Sequence, residues 1–320
     1  MKLGVFTALF GGLSLDQVID KVSAAGLEAV ELGTGAYPGA SHIDVDGLLS
    51  SKAKAKAYKQ KLADAGLIIS ALSCHGNPLH PDKAFAKDHD EVFRKSVRLA
   101  ELLGVETVIT FSGCPGDSDA SKWPNWVTCP WPPDYLKVLE WQWEKKVIPY
   151  WTRAGKFAKD HGVRVALEAH PGFVVYSVET ALKLREAVGP QIGVNFDPSH
   201  LFWQGVDVPA AIRALGDSIF HFHAKDVALD RDNVRLNGVL DPKSYADMAN
   251  RSWLFRTVGW GHGASDWAEI MSALRMVGYD HVVSIEHEDA LASVDEGLAN
   301  AVRFLRPLIL KEQPAEAWWV

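Results

Sequence analysis

Cysteine is scarce in this chain. Cys74, Cys114 and Cys129 are odd in number and fall at no metal-ligand spacing, so neither a disulfide framework nor a thiolate zinc site is expected. Basic residues are also in deficit. With 33 Lys and Arg against 40 Asp and Glu, the formal net charge of -7 argues against a nucleic-acid partner, whose phosphates call for a basic face. No apolar run approaches the roughly eighteen residues that a membrane span needs. The N-terminal "MKLGVFTALFGGLSLDQ" has a short apolar run, no small-residue cleavage site and an immediate helix signal. It reads as a first strand and not as a signal peptide, and a cytoplasmic location is expected. A Gly-rich phosphate turn after that strand is missing too, which turns the reading away from a doubly wound nucleotide-binding sheet.

What is present is an alternation. A composition 48% apolar and 23% charged is that of a globular protein with a large core. Short apolar runs fall at Leu3–Phe6, Ala29–Leu32, Leu67–Leu72, Thr107–Phe111, Val163–Leu167, Ile192–Phe196, Ile219–Phe222 and Val282–Ile285. They read as strands buried on both faces. Between them lie amphipathic segments at Ser14–Ala25, Val45–Ala65, His89–Leu103, Tyr135–His161, Val178–Val188, Val208–Leu215, Asp266–Val277 and Val294–Leu310. Ser14 with Gln17 makes a capping box, and glycines at 26, 66, 104, 162, 189 and 278 repeat the punctuation helix, glycine, strand. Eight strands alternating with eight helices predict an α/β fold, one (β/α)8 TIM barrel spanning 1–320.

Two loops exceed the usual length. Ser112 to Asp134 follows the fourth strand, and an insertion of about 226–264 follows the seventh. Both leave the C-terminal end of a strand, where barrel enzymes build their sites, and loops of this length are commonly lids or interface elements. The Trp-rich first loop suits either the stacking of sugar faces or a subunit contact. The C-terminal "AWWV" is a second candidate for a contact between subunits of a homo-oligomer.

The strand tips carry the chemistry. The fifth strand ends in "VALEAHPG" with Glu168, the sixth in "VNFDPSH" with Asp197 and then His200, the seventh in "HFHAKD" with His223, and the eighth in "VVSIEHED" with Glu286. In a closed barrel these tips converge, and three carboxylates so gathered repel one another unless a cation lies between them. Glu168, Asp197, His223 and Glu286 are therefore the expected ligands of a divalent metal ion. Three carboxylates favour Mn2+, Mg2+ or Co2+, and the imidazole brings Zn2+ or Fe2+ within range. His75 and Asn77, in "SCHGN" after the third strand, reach the same mouth. There His75 contacts a substrate hydroxyl, binds a second metal or is an ordinary loop histidine. His200 is favoured as a substrate contact. Glu31 ends the second strand and points either inward or away. His221 is expected one layer deeper than His223 as a hydrogen-bonded core residue. His170, His287 and Glu288 are expected to support the ligands or to face solvent. Lys225 and Asp226 are either an orienting pair for the site or a surface pair, with Lys225 a candidate substrate contact. Arg231, Arg235, Arg251 and Arg256 in the insertion suit a phosphoryl group or ion pairs with its aspartates, and Arg256 is taken as the substrate-binding candidate.

At these residues the chain resembles the sugar phosphate isomerase/epimerase family, the xylose isomerase-like barrels. That group includes ketose 3-epimerases, inosose dehydratase and, more distantly, endonuclease IV. The resemblance runs from "LGVFT" to "SIEHED" and is most specific at "LEAH", "FDPSH", "HFHAKD" and "SIEHED", with "VGWGHGASDWAEIMSALRMVGYD" before the last strand. It implies Glu168, Asp197, His223 and Glu286 as metal ligands, His200 as a substrate contact, and the two glutamates as the groups that exchange the substrate proton. The chain departs from the ketose 3-epimerases where they carry an arginine six residues after the ligand histidine. Leu229 stands there, and Arg231 is out of register.

The expected activity is metal-dependent sugar isomerisation or epimerisation through a metal-bound enediolate, with Glu168 and Glu286 as catalytic bases. Dehydration or elimination on keto-sugars or glycosides uses the same intermediate. Twelve tryptophans lean toward a neutral sugar or glycoside over a phosphorylated one. Outside this class stand an endonuclease IV-like nuclease and a non-catalytic sugar-binding barrel. The nuclease is opposed by the acidic charge and by "TFSG", without histidine, after the fourth strand. The binding barrel is opposed by four intact tips.

Overall fold

The computed structural model describes residues 1–314, 316–317 and 319–320. Trp318 of the "AWWV" segment, expected at a subunit contact, lies outside them. The strands are β1 (Lys2–Phe6), β2 (Ala29–Gly33), β3 (Ile68–Ser73), β4 (Thr107–Phe111), β5 (Arg164–Glu168), β6 (Ile192–Phe196), β7 (Ile219–Ala224), β8 (Asp226–Leu229), β9 (Trp253–Arg256) and β10 (Val282–Ile285). Eight of them close into a parallel barrel in the order β1-β10-β7-β6-β5-β4-β3-β2, and β8 and β9 form a separate antiparallel pair. The helices are α1 (Leu15–Ala24), α2 (Val45–Leu49), α3 (Lys52–Asp64), α4 (Lys83–Leu103), α5 (Asp134–Trp141), α6 (Ile148–Asp160), α7 (Val178–Val188), α8 (Ser199–Phe202), α9 (Val208–Leu215), α10 (Arg231–Asn237), α11 (Ala264–Met276) and α12 (Val294–Leu305). None is long and apolar enough to cross a membrane.

The large core lies between the strands and the surrounding helices, which is why the barrel strands read as apolar runs. A smaller cluster of Ala71, Ile109, Ala166 and Phe220 holds residues of β3, β4, β5 and β7 together. Gly193 of β6 makes room for it. A Cβ there would stand 2.4 Å from the Phe220 ring.

Three expected helices differ. The segment Val45–Ala65 breaks into α2 and α3, because the Ser51 hydroxyl caps the Lys54 N–H and starts a second helix. α4 begins six residues earlier than expected, at Lys83, where the Asp82 carboxylate accepts from the N–H groups of Ala84 and Phe85. Tyr135–His161 becomes α5 and α6 joined by a π-helical turn, Gln142–Val147. Pro149 cannot donate to the ladder, and the wider turn absorbs the lost bond. The turn also points Gln142 into the loop after β4, where its Nε2 donates to the carbonyls of Pro115, Gly116 and Asn125.

The insertion after β7 is a built element. β8 and β9 pair from Asp226↔Arg256 to Leu229↔Trp253, and Val227, Trp253 and Phe255 pack with Trp203 in a small core of their own. Asp226 fastens its base: the buried carboxylate accepts from the backbone N–H groups of Gly259, Gly261 and His262 and from the His262 ring.

Candidate metal and active site

Barrel register brings the strand tips together. Glu168 ends β5 opposite Phe111 and Asn195, and His223 on β7 stands opposite Ser284 of β10. Asp197 and Glu286 each follow their strand by one residue. One donor atom from each of Glu168, Asp197, His223 and Glu286 lies within 4.8 Å of the other three. The first three residues are buried, and Glu286 is partly open to the cavity above.

The environment of these atoms fits a cation. Asp197 Oδ2, His223 Nδ1 and Glu286 Oε2 are buried and have no hydrogen bond. Buried polar atoms are ordinarily hydrogen-bonded, so three that face each other without a hydrogen bond could serve as donors to an ion. His223 Nδ1 lies 2.9 Å from Glu286 Oε2 and 3.3 Å from Glu168 Oε2.

Behind the set, Glu31 holds the other side of the same ring, with its carboxylate oxygens 2.9 and 3.0 Å from His223 Nε2. A proton kept on Nε2 leaves Nδ1 free to ligate, the usual carboxylate–histidine support of a metal ligand. The Ser73 and Ser284 hydroxyls also donate to Glu31, at 2.5 and 2.8 Å. Burial alone would raise the Glu31 carboxyl, but the facing His223 and the Ser73 hydroxyl bring it down to about 2. His221 Nε2, 3.8 Å from Glu31 Oε2, adds to this, although burial pushes its own imidazole down to about 3. Its ring is satisfied one layer deeper by Asn195 Oδ1 and Ser70 Oγ.

Glu168 is the most heavily contacted carboxylate. Asn195 Nδ2 donates to its Oε2 at 2.8 Å, His75 Nε2 lies 2.9 Å from the same oxygen, and His200 Nε2 lies 3.2 Å from Oε1. His200 Nε2 is also 3.2 Å from Asp197 Oδ2. Burial opposes ionisation of Glu168, yet these imidazoles hold it well below the usual carboxylate range. His170 lies tilted beside His200, ring centroids 4.0 Å apart, and burial with that neighbour pushes it far down, so it stays neutral.

Lys225 and Asp226 are both buried, so the surface-pair alternative falls. The Lys225 ammonium lies 3.1 Å from each of Asp197 Oδ2, Glu286 Oε2 and Glu288 Oε2. Burial would lower it, but these carboxylates hold it well above the usual lysine range. In return Lys225, with His223, keeps Glu286 ionised against its own burial.

A cavity of about 300 Å³ opens above the set, lined by Phe6, Tyr37, His75, Phe111, Glu168, Lys225 and Glu286 among others. Three expected substrate contacts do not line it, and the first, His200, is buried against Glu168 and Asp197. Asn77 is spent on backbone: its amide donates to the Cys114 carbonyl, and its oxygen accepts from the N–H groups of Cys114 and Leu79. That ties the loops after β3 and β4 together. Arg256 pairs with Asp289, its Nε 3.1 and 3.2 Å from the carboxylate oxygens, and braces β9 against the segment after β10. Arg231, Arg235 and Arg251 do not reach the cavity either, nor do the tryptophans of the loop after β4; Trp123 and Trp131 face solvent. His287 packs on Gly297 of α12. Sequence reasoning missed Asn195 and left Glu31 undecided. The signal was a polar residue inside an apolar strand run, a position that needs a partner across the barrel.

The xylose isomerase-like TIM barrel family model matches residues 19–308. Over 312 residues, 97% of this chain and 99% of the relative, the sequence is 40% identical to the uncharacterized protein YfiH of Bacillus subtilis. It is 25% identical over 229 residues to the inosose dehydratase of Mesomycoplasma hyopneumoniae, covering 70% of this chain and 66% of that one. Two solved structures share the fold. An L-ribulose 3-epimerase superposes with TM-score 0.63 at 18% identity, covering 96% of this chain and 93% of that one. The IolI protein with a bound zinc atom superposes with TM-score 0.65 at 18% identity, covering 97% and 98%.

Proposed function

Because the chain belongs to the xylose isomerase-like TIM-barrel family, we propose that it is a divalent-metal-dependent isomerase or epimerase of a sugar or sugar derivative. The observation that carries this reading is the convergence of Asp197 Oδ2, His223 Nδ1 and Glu286 Oε2, buried and without hydrogen bonds, on Glu168. These four residues would hold the ion, and three oxygens with one nitrogen suit Mn2+ first, with Mg2+, Co2+ and Zn2+ also in range. When bound, the ion would polarise a carbonyl and an adjacent hydroxyl and so acidify the carbon-bound proton between them.

Glu168 and Glu286 act as the two bases. β6 and β7 separate their strands in the barrel, so they approach a substrate from different sides. Glu168 is fixed by Asn195 and kept ionised, while His75 and His200 stand within reach of its two oxygens to receive or return a proton. Lys225 keeps Glu286 ionised. Delivery of the proton to the opposite face gives epimerisation, and delivery to the neighbouring carbon gives isomerisation. A phosphorylated substrate is disfavoured, since Lys225 is the one lysine or arginine among the described residues lining the cavity, and three carboxylates already share it. Elimination is the second reading. It is favoured by the similarity to an inosose dehydratase and by the Lys225 ammonium beside Glu286, a proton donor for a departing oxygen.

The test is metal analysis of protein purified without added metal, then deuterium wash-in from D2O with Mn2+ on a panel of ketoses, keto-sugars and glycosides. Exchange beside a carbonyl that is lost in Glu168→Gln and Glu286→Gln supports proton-transfer chemistry. Sugar binding that survives both substitutions, with no turnover, would replace the enzyme by a sugar-binding barrel. Protein that refuses Mn2+, Co2+ and Zn2+ in titration overturns the reading.

A further inference from the structure

We infer that the 226–264 insertion builds an apolar subsite for a ring carried by the substrate beyond its reacting sugar, so that the preferred substrate is an aryl glycoside and not a free monosaccharide. The inference rests on the proposed sugar chemistry at the strand tips, and adds the part of the substrate that chemistry does not touch.

A second cavity, of about 210 Å³, lies beside the first and is lined by Tyr245, Leu254, Phe255, Glu288 and Ala290. Glu288 lines both, so the two spaces share a wall. Phe255 joins them through its contacts. Its ring lies 4.6 Å beneath the Lys225 ammonium, meets the His200 ring edge-on at 5.4 Å and stacks on Tyr245 at 5.6 Å. Phe255 thus touches both Lys225 of the reaction pocket and the ring of Tyr245 in the second cavity. A ligand filling both would place its reacting carbons over the strand tips and its far end on Tyr245 and Leu254.

The lining selects the class of that far end. Leu254, Phe255 and Ala290 offer only hydrocarbon or ring surface, and Tyr245 adds a second ring. The charge present, Glu288, is negative and already paired with Lys225. An anionic group would be repelled there, and a strongly hydrated one would lose water without replacement. An apolar cavity of about 150 Å³ suffices to hold a benzene molecule, so the space accommodates a phenyl ring with a small substituent.

The walls are also fixed before any ligand arrives. The buried Arg251 guanidinium packs on both the Tyr245 and Trp253 rings, at 4.3 and 4.5 Å, in the corner these edge-to-face rings form, and its Nε donates to the Trp253 carbonyl. Trp253 Nε1 donates to the Val239 carbonyl, and the Ser252 N–H to Asp241 at 2.6 Å. Tyr245 nevertheless keeps about half of its surface open, at 53%. A rigid aromatic ring with one free face is what a stacking subsite needs.

The experiment compares methyl and phenyl glycosides of the same hexoses on the full-length protein loaded with diamagnetic Zn2+, by saturation-transfer NMR and calorimetry. 4-Fluorophenol, followed by fluorine NMR, serves as a probe of the subsite alone. The blocking variant is Ala290→Trp, with circular dichroism as the control for folding, and Leu254→Glu is a second variant that makes the wall charged. We expect phenyl glycosides to bind about 10- to 100-fold more tightly than methyl ones, and both variants to erase that ratio without weakening the methyl glycosides. Equal affinities in the wild-type protein overturn the subsite and leave the sugar reading standing. If no glycoside binds but fluorophenol does, and loses its binding in the variants, the subsite stands and the sugar reading falls. Absence of binding by glycosides and fluorophenol alike overturns the subsite.

Discussion

Replacing Glu31 by glutamine keeps the side chain's length but removes the charge behind His223. We expect affinity for Mn2+ to fall about 10- to 100-fold with the barrel intact, the usual cost of losing a carboxylate behind a ligating imidazole. Chelator competition measures it, and unchanged affinity would dissociate Glu31 from the site. Lys225→Met tests the opposite sign. Its ammonium lies 3.1 Å from two oxygens of the donor set and competes with a cation for them. The variant should melt lower than the wild-type protein when free of metal, through mutual repulsion of Asp197 and Glu286, and gain more from added Mn2+. A smaller gain would count against the competition. These roles differ in how they show in the sequence. Glu168, Asp197, His223 and Glu286 stand at or just beyond strand ends, where the pattern alone marks them. Glu31 finds His223 across 192 positions of chain, and Asn195 lies within an apolar run, so nothing local names either partner.

Among the elements, the insertion after β7 depends on two aspartates. Asp226→Ala orphans a row of backbone N–H groups at its base and should cost about 3 kcal/mol or more, read by urea denaturation of the wild type and variant. A loss below about 1 kcal/mol would mean that the base is held elsewhere. Asp241 adds a pH dependence. Burial opposes its charge, but Lys243 and the Ser252 N–H outweigh it and bring the carboxyl down from 3.8 to about 2. A lowered folded-state value contributes stability that is present above the unfolded value and lost as pH falls through the folded one. The stability difference between wild type and Asp241→Asn should therefore be full above about pH 4 and vanish toward pH 2. A difference constant across that window would discount the carboxylate. The presence of this element was legible from the loop's length, but its interior was not. β8 and β9 have four residues each, and their partners lie on opposite sides of a long connection. The long helix expected before β5 also failed locally, because Pro149 is tolerated within a helical pattern and marks no boundary by itself.

For the whole molecule, the alternation of helix, glycine and strand is a global signal repeated around the barrel, which is why the fold could be read without any single decisive residue. Metal binding should be felt globally as well. An ion that binds only the folded chain raises its melting temperature by mass action, about 2.7 kcal/mol at a hundred times the dissociation constant. EDTA-treated protein should melt several degrees below protein with excess Mn2+, and coincident melting curves would exclude a folded-state site of useful affinity. The donor set itself comes from β5, β6, β7 and β10, a contiguous arc of the barrel drawn from the second half of the chain, while Glu31 and His75 face it from the first half. The donors and the groups that hold them in place are thereby carried on different stretches of one polypeptide. A barrel half exchanged by itself would leave Glu31 and His75 facing strangers, so the site is passed on only when both halves travel together.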